Sequence, residues 1–503
     1  GITFGSGITF ALNNGTLSAA GGNASGTAVG VKASGALTFS NTNAIINGTS
    51  NGSSGIQLSG NLTTNGAGDV TLNGTSNIAS GIVVSSLTIS GAGNLTASGT
   101  SNSGAGLTVT GNLTANGAGN MALSGIGGSG SPGVSFSSAE FINASGGAIS
   151  VVGVSSVGRG VFFSTDLVTS GTSNLNITGV ANGVSQGVFI VGNLTTSGAG
   201  STILNGISNG LSGLQVNGNT TISGAGNLIV NGTSNISNGL VFGGSLATIG
   251  SGLMNLSGTS NGAFFGVSFS NANLIMNASG GAISVVGISN TSSGISIAGN
   301  LTTSGTSNVT LNGTSSTGPG VLTTVAATIN NTVNLTIGGS SASLGSAINS
   351  SGLLTFNLSG NTTVGGAISG TGNLSQAGTG TTTLTGNNTY SGTTNITGGT
   401  LALVGNGTVG SGNTTIGAGA ALQVGNGTAN GSLGSVQNLT NNGTLVFDEA
   451  SGNVTTVSTV LSGVGNVSQI GSGSTVVFTG NNTYGGTTTV GPNATLQVGN
   501  GGT

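Results

Sequence analysis

The sequence nearly lacks charge, and it has no cysteine, histidine or tryptophan. Its 503 residues include 2 basic and 5 acidic side chains, so the formal net charge is −3. Binding to nucleic acid by counterion release needs a cluster of lysine and arginine, so this class of function is excluded. Without cysteine, neither disulfides nor thiolate metal sites are available to hold the fold together.

Long apolar runs are also missing. No stretch of 18 or more apolar residues is present for a membrane helix, so we expect this segment not to be embedded in a membrane. The chain starts at Gly1 without a charged and apolar signal region, which indicates a mature product or an excerpt.

Glycine is abundant instead, with 104 copies, and it marks a repeat. A Gly-led mark returns about every 26 residues, and most copies open a tetrapeptide such as Gly74-Thr75-Ser76-Asn77. Such a spacing is typical of a solenoid, whereas a disordered chain is poor in apolar residues and carries high net charge. The marks are Gly22, Gly48, Gly74, Gly99, Gly125, Gly153, Gly179, Gly206, Gly232, Gly258, Gly287 and Gly313.

Between the marks, apolar residues come in three alternating pairs per unit. After Gly74 these pairs are Ile82/Val84, Leu87/Ile89 and Leu95/Ala97. Alternation with period two predicts strands with one set of side chains inside, and the Gly-rich joints permit tight corners. The sequence therefore predicts an all-β parallel β-helix, or β-solenoid, with three short strands per coil of about 26 residues. Leu87 and Leu113 should be buried, while Thr88 and Thr114 face out.

Two regions follow from the repeats. The 26-residue mark fades near residue 325, so we expect a β-helix array over 1–325 and a β-helix continuation with a different repeat over 326–503. In the second region, Ile368–Gly405 aligns with Leu461–Gly499. Its most specific block, Leu384–Thr394, recurs as Phe478–Thr488, and these two blocks hold the only tyrosines.

This block resembles the autotransporter-associated β-strand repeat of bacterial autotransporter passenger domains, whose pattern is LTGxNTYxGGTT followed by GGTL. The first copy has the sequel Gly398-Gly399-Thr400-Leu401, whereas the second departs from it over Gly491–Leu496. The resemblance covers about residues 360 to 503. It implies a right-handed β-helix, secretion or surface display, and a translocator outside this segment, and it brings no catalytic residue.

No catalytic, cofactor-binding or metal-binding residue is predicted, and no cofactor is expected. Enzymes built on β-helices cleave polysaccharides with clustered acids, but here Asp448 and Glu449 are strand neighbours that should point to opposite faces. We expect them at a solvated corner. Asp69 follows a Gly-Ala-Gly turn, yet the equivalent residues are Asn94 and Asn120, which argues against a calcium ladder.

Two more features concern the surface. Arg159 and Asp166 are candidates for a single ion pair, which at a surface contributes little. Asparagine recurs at equivalent corners, as at Asn73 and at Asn61, Asn112, Asn193 and Asn300 of the GNLT segments. We interpret these as stacked ladders that bond between coils. The alternative is glycosylation, since many are followed by x-Ser/Thr.

The sequence thus predicts a non-enzymatic, extracellular or cell-surface β-helical rod, an adhesin-like passenger segment of a bacterial autotransporter. The alternative is a self-assembling structural subunit of an extracellular filament or sheath, and a glycan-cleaving β-helix enzyme is less favoured. The expected partners are a ligand on a host or neighbouring cell and further copies joined end to end. Gly1–Phe4 and Asn493–Asn500 both read as uncapped strands, which template further strands.

Overall fold

The computed structural model describes residues 1–5, 7–12, 14–23, 26–138, 140–323, 326–330 and 333–499. All regular elements in these ranges are β-strands, and the described pairings between strands are parallel. No helix among the described residues is long and apolar enough to span a membrane. Asn500, expected in the last strand, and Val325, the expected domain boundary, lie outside the described residues.

The chain divides into two compact units. Unit 1 comprises Gly1–Asn271, Gly280–Ala282 and Ser289–Thr291, and unit 2 comprises Ala272–Ser279, Ile283–Ile288 and Ser292–Thr503. The sequence boundary near residue 325 stays a prediction.

Each coil of unit 1 contributes three strands in order, and each strand pairs with its copy in the next coil. The step from Ile56 to Ile82 is 26 residues, as the repeat predicts. The first strands are Ile2–Phe4, Val31–Ala33, Ile56–Leu58, Ile82–Val84, Leu107–Val109, Val134–Phe136, Val161–Phe163, Val188–Ile190, Leu214–Val216, Leu240–Phe242 and Val267–Phe269. The second strands are Ile8–Ala11, Leu37–Ser40, Leu62–Asn65, Leu87–Ile89, Leu113–Ala115, Glu140–Ala144, Leu167–Ser170, Leu194–Thr196, Thr220–Ile222 and Leu246–Thr248. The third strands are Thr16–Asn23, Asn43–Ser50, Val70–Ser76, Leu95–Ser101, Met121–Gly127, Ile149–Ser155, Leu175–Ala181, Thr202–Ser208, Leu228–Ser234 and Met254–Ser260.

The core of unit 1 is the set of inward columns from these strands. Leu87 and Leu113 are fully buried and pair in register, while Thr88 and Thr114 between the inward residues face out. The predicted phase of the coils is therefore confirmed. Because every coil offers only a few inward side chains, the core forms by stacking coils rather than within one.

The prediction of Gly22 as one of the repeated glycine marks is wrong. The register pairs Gly21, not Gly22, with Gly48. A Cβ on Gly21 would lie 2.1 Å from the carbonyl oxygen of Gly30, whereas a Cβ on Gly22 would meet no atom within 4 Å. The mark exists because the backbone approaches closely at one corner, and Gly22 lies one residue beyond that point.

Unit 2 also consists of coils, but the coils after Val321 are shorter. The step is 26 residues from Ile295 to Val321 and 19 from Leu384 to Leu403. The first strands are Ile295–Ile297, Val321–Thr323, Ala342–Leu344, Thr362–Val364, Thr381–Leu384, Thr400–Leu403, Ala421–Val424, Thr444–Phe447, Asn466–Gln469 and Thr488–Val490. The third strands are Ile283–Ser289, Val309–Ser315, Asn334–Gly339, Leu353–Leu358, Asn373–Gln376, Thr394–Ile396, Thr414–Ile416, Leu439–Asn441 and Leu461–Ser462.

The second strand of unit 2 is interrupted. It is present as Asn273–Ala278, Asn300–Gly305, Ala327–Ile329, Ile348–Ser350 and Ile368–Ser369. The next three coils have loops 385–393, 404–413 and 425–438 in its place. A separate three-stranded sheet then follows, made of Val454–Val457, Thr475–Phe478 and Thr495–Val498. The last of these strands confirms the predicted final strand as far as Val498.

Candidate binding surface

The Gly-Thr-Ser-Asn mark builds the corner between the third strand of one coil and the first strand of the next. A Cβ on Gly74 would lie 2.2 Å from the carbonyl oxygen of Gly81, so only glycine fits. Ser76 is buried, and its Oγ donates to the carbonyl of Ser53 at 2.7 Å and accepts the amide of Ala79 at 3.1 Å. The motif therefore satisfies buried backbone groups at a tight corner, and its role is structural.

The predicted asparagine ladders are present along the corners. The Nδ2 of Asn102 donates to the Oδ1 of Asn77 at 2.7 Å, and the same bond joins Asn73 to Asn47 at 2.9 Å. In a GNLT segment, the Oδ1 of Asn193 accepts the amide of Asn219 at 2.8 Å. These side chains bond from coil to coil, so most corner amides are not free to bind a ligand.

Two of the acids belong to the same ladders. The Oδ1 of Asp69 accepts the amide of Asn94 at 2.7 Å, and the Oδ1 of Asp166 accepts the amide of Asn193 at 2.7 Å. Each aspartate therefore stands where neighbouring coils have asparagine. Asp166 is bonded within its ladder. Arg159, its expected ion-pair partner, instead contacts Gln186 and two phenylalanine rings.

Arg159 is part of an outward cluster on the first strands of unit 1, which we call the Arg159 patch: Arg159, Phe162, Gln186, Phe189 and Gln215. The rings of Phe162 and Phe189 stack with centroids 5.8 Å apart and an interplanar angle of 20°. The Cζ of Arg159 lies 4.5 Å from the Phe162 centroid and 4.7 Å from the Phe189 centroid. Such cation–π contacts hold a guanidinium in place.

Hydrogen bonds between side chains extend the Arg159 patch. The Nε of Arg159 donates to the Oε1 of Gln186 at 3.1 Å, and the Nε2 of Gln186 donates to the Oε1 of Gln215 at 3.2 Å. The terminal nitrogens of Arg159 make no hydrogen bond to another described residue, and burial lowers the pKa of its guanidinium. A fixed, partly desolvated cation with free donors is suited to bind an anionic group.

Sequence reasoning missed the Arg159 patch. The signal was present, because Phe162 and Phe189 occupy the outward position of two consecutive first strands, where they pair in register. Other coils have Thr108 or Ser135 at that position. A single coil shows nothing unusual, and only the alignment of coils brings the two rings together.

Asp448 and Glu449 directly follow the strand Thr444–Phe447, and the expectation of a solvated corner is wrong for Glu449. Its side chain is fully buried, with Oε2 accepting the amide of Gly431 and Oε1 accepting the hydroxyl of Thr455, both at 2.9 Å. Desolvation raises the pKa of the Glu449 carboxyl above its ordinary value. The carboxyl secures the loop 425–438 through the amide of Gly431.

The tyrosine block of unit 2 forms a corner in place of a strand. Asn388 is buried, and its Oδ1 accepts the amide of Ile368 at 2.8 Å while its Nδ2 donates to the carbonyl of Thr408 at 2.6 Å. The hydroxyl of buried Tyr390 bonds to the Oγ1 of Thr394 at 2.6 Å. The asparagine amide thus replaces hydrogen bonds that a strand would have made.

The second copy repeats these bonds. The Oδ1 of Asn482 accepts the amide of Leu461 at 2.9 Å, and Tyr484 bonds to Thr488 at 2.8 Å. The asparagine and tyrosine that the two copies share therefore have the same local function, which is to close a corner of the coil.

Comparison with known proteins agrees with this architecture. Residues 374–403 and 469–498 match the family model of the passenger-associated transport repeat. These segments contain Tyr390 and Tyr484. No curated protein and no solved structure matches the chain. A parallel β-solenoid with this repeat fits the passenger domain of an autotransporter, a class of protein generally secreted or displayed at the cell surface.

Proposed function

We propose that this chain is a non-enzymatic, adhesin-like segment of an autotransporter passenger that contacts a host or neighbouring cell. The Arg159 patch carries the proposal. Elsewhere the described surface is rich in hydroxyls and amides, many of them bonded in ladders, and it also has exposed apolar side chains. At the patch, a cation, two aromatic rings and two glutamine amides lie on three adjacent coils.

The chemistry of the patch favours binding over catalysis. A guanidinium held over phenylalanine rings offers charge and geometry to a carboxylate or another anionic group, and the five residues of the patch include no nucleophile or general acid–base group.

The test is attachment of the purified, fluorescently labelled chain to bacterial and epithelial cells. Replacing Arg159→Gln should weaken attachment about tenfold, because a charge-assisted hydrogen bond contributes roughly 1.5–3 kcal/mol. Lys32→Gln is the control, since Lys32 is the other basic residue of the chain and lies exposed on a first strand of unit 1. Absence of attachment, or equal loss in both variants, would contradict the proposal.

A second candidate, a self-assembling structural subunit, is supported by a different surface. Ile126, Val154, Val180 and Ile207 form an outward apolar column on consecutive third strands, and Ile126 and Ile207 are 54% and 45% exposed. With few charges there is little repulsion to oppose association. Light scattering over a concentration series tests both this candidate and the end-to-end association that we expected. A monomer at every concentration would contradict them.

A further inference from the structure

The three loops that replace the second strand of unit 2 line a continuous groove, which we call the loop groove. Its cavities have volumes of about 290, 450 and 50 Å³. The cavities adjoin, since Asn387 lines the first two, Ser432 lines the second and third, and Gly434 lines the first and third. The loop groove therefore extends across several consecutive coils, which are roughly 4.8 Å apart.

The polar side chains of the loop groove are available to a ligand. Asn387, Thr389, Asn406, Ser411 and Ser435 line it and are exposed. Within the described ranges, none of these five side chains makes a hydrogen bond. This differs from the ladders, where an amide such as that of Asn73 bonds to the adjacent coil. Free hydroxyls and amides in a concave site can fix the orientation of a polar ligand.

The walls of the loop groove are held in place before any ligand arrives. Asn388 is bonded to Ile368 and Thr408 through its amide. The buried carboxylate of Glu449 accepts the amide of Gly431, and the carbonyl of Asn430 accepts the amide of Gly405 at 2.6 Å. A preformed site loses less conformational freedom on binding, which favours affinity.

The lining also indicates the class of ligand. No residue that lines the three cavities is charged, so an anionic or cationic ligand would find no partner. A protein partner needs exposed apolar or aromatic anchors, but the apolar lining residues Val409 and Leu433 are themselves buried. The exposed hydroxyls and amides that line the groove both donate and accept hydrogen bonds, which suits a chain of hydroxyl groups.

We infer that the loop groove binds an uncharged oligosaccharide, whose chain lies along the stacked coils. The inference relies on the proposed extracellular function only for the ligand's access to the site. It differs from the Arg159 patch, which is in unit 1 and is suited to an anion.

The test is calorimetric titration of the full 503-residue chain with hexamers of β-1,4-linked glucose, α-1,4-linked glucose and mannose. Hexagalacturonate serves as the charged counterpart. At least one neutral hexamer should bind. The double variant Asn387→Ala, Asn406→Ala should weaken that binding about tenfold or more, because each substitution removes roughly 1 kcal/mol of hydrogen bonding. Neither side chain bonds to the protein, so folding should be unaffected.

The matched control is Asn176→Ala, Asn255→Ala. These asparagines are exposed on third strands of unit 1, and their side chains make no hydrogen bond to a described residue. The control should bind the hexamer as the parent chain does. The inference is overturned if no neutral hexamer binds at millimolar concentration, if only hexagalacturonate binds, or if both double variants lose binding equally.

The cell-attachment assay separates this inference from the proposed function. Attachment that depends on Arg159, together with no hexamer binding, would contradict oligosaccharide binding at the loop groove. It would still support the adhesin-like role. Hexamer binding that depends on Asn387 and Asn406, without any cell attachment, would support the loop groove and contradict the adhesin-like role.

Discussion

Gly99 is a position where one added methyl group should distort a coil corner. It is one of the repeated glycine marks, and its Cβ would lie 2.0 Å from the carbonyl oxygen of Gly106 and 2.7 Å from the carbonyl carbon. Real contacts of this kind are not shorter than 3.0 Å. The backbone must therefore move by roughly 1 Å, because no flexible side chain is there to yield.

That movement also affects the adjacent coil. The carbonyl of Gly106 accepts the amide of Ile82 at 3.0 Å, at the start of a first strand. Overpacking costs roughly 1–3 kcal/mol, and a buried amide left without its acceptor costs about 1–3 kcal/mol more. We expect Gly99→Ala to lower the free energy of unfolding by about 2–6 kcal/mol.

Gly22→Ala is the matched control. Gly22 also lies in a third strand of unit 1, but a Cβ there meets no atom within 4 Å, so the change should be neutral or stabilise by about 0.4–1 kcal/mol. Urea unfolding followed by far-ultraviolet circular dichroism compares the two midpoints, with limited proteolysis to locate the damaged coils. If Gly99→Ala unfolds at the same urea concentration as Gly22→Ala, the close approach at the corner is refuted.

Three further predictions follow from buried and paired groups. Leu113→Asp should unfold several coils together and abolish protease resistance, because it buries an unpaired charge. Thr114→Asp, on the outer face, should leave protease resistance unchanged. Equal resistance in both variants would contradict the coil register. Because burial raises the pKa of Glu449, the folded chain holds this proton more tightly than the unfolded chain, so stability should fall as pH rises from the ordinary value of 4.5 through the raised value. In Glu449→Gln, the urea midpoint of unfolding should depend less on pH in this range. An unchanged dependence would show that another group titrates. The double variant Asp448→Asn, Glu449→Gln should behave like the parent chain in assays of polysaccharide cleavage, and a cleavage activity lost in the variant would overturn the non-enzymatic proposal.

Much of the fold could be predicted because the coil is a local pattern that repeats. Leu87 and Leu113 are equivalent residues in adjacent units, and stacking equivalent units pairs them in register. The same argument predicted the asparagine ladders, since Asn77 and Asn102 have the same place in the mark. The argument failed for Gly22, because two glycines are adjacent there. The sequence alone does not identify which of them approaches the neighbouring backbone.

The sequence by itself determined the all-β solenoid, the three strands per coil of unit 1 and the inward or outward direction of the residues in those strands. These features depend on a periodic pattern, and parallel stacking repeats the pattern exactly once per coil. Only the tertiary structure decided the burial of Glu449, the stacking of Arg159 on Phe162 and Phe189, and the loop groove. Each of these depends on contacts between residues that are not equivalent in the repeat, or on a loop folded against a coil, and no periodic pattern specifies such contacts.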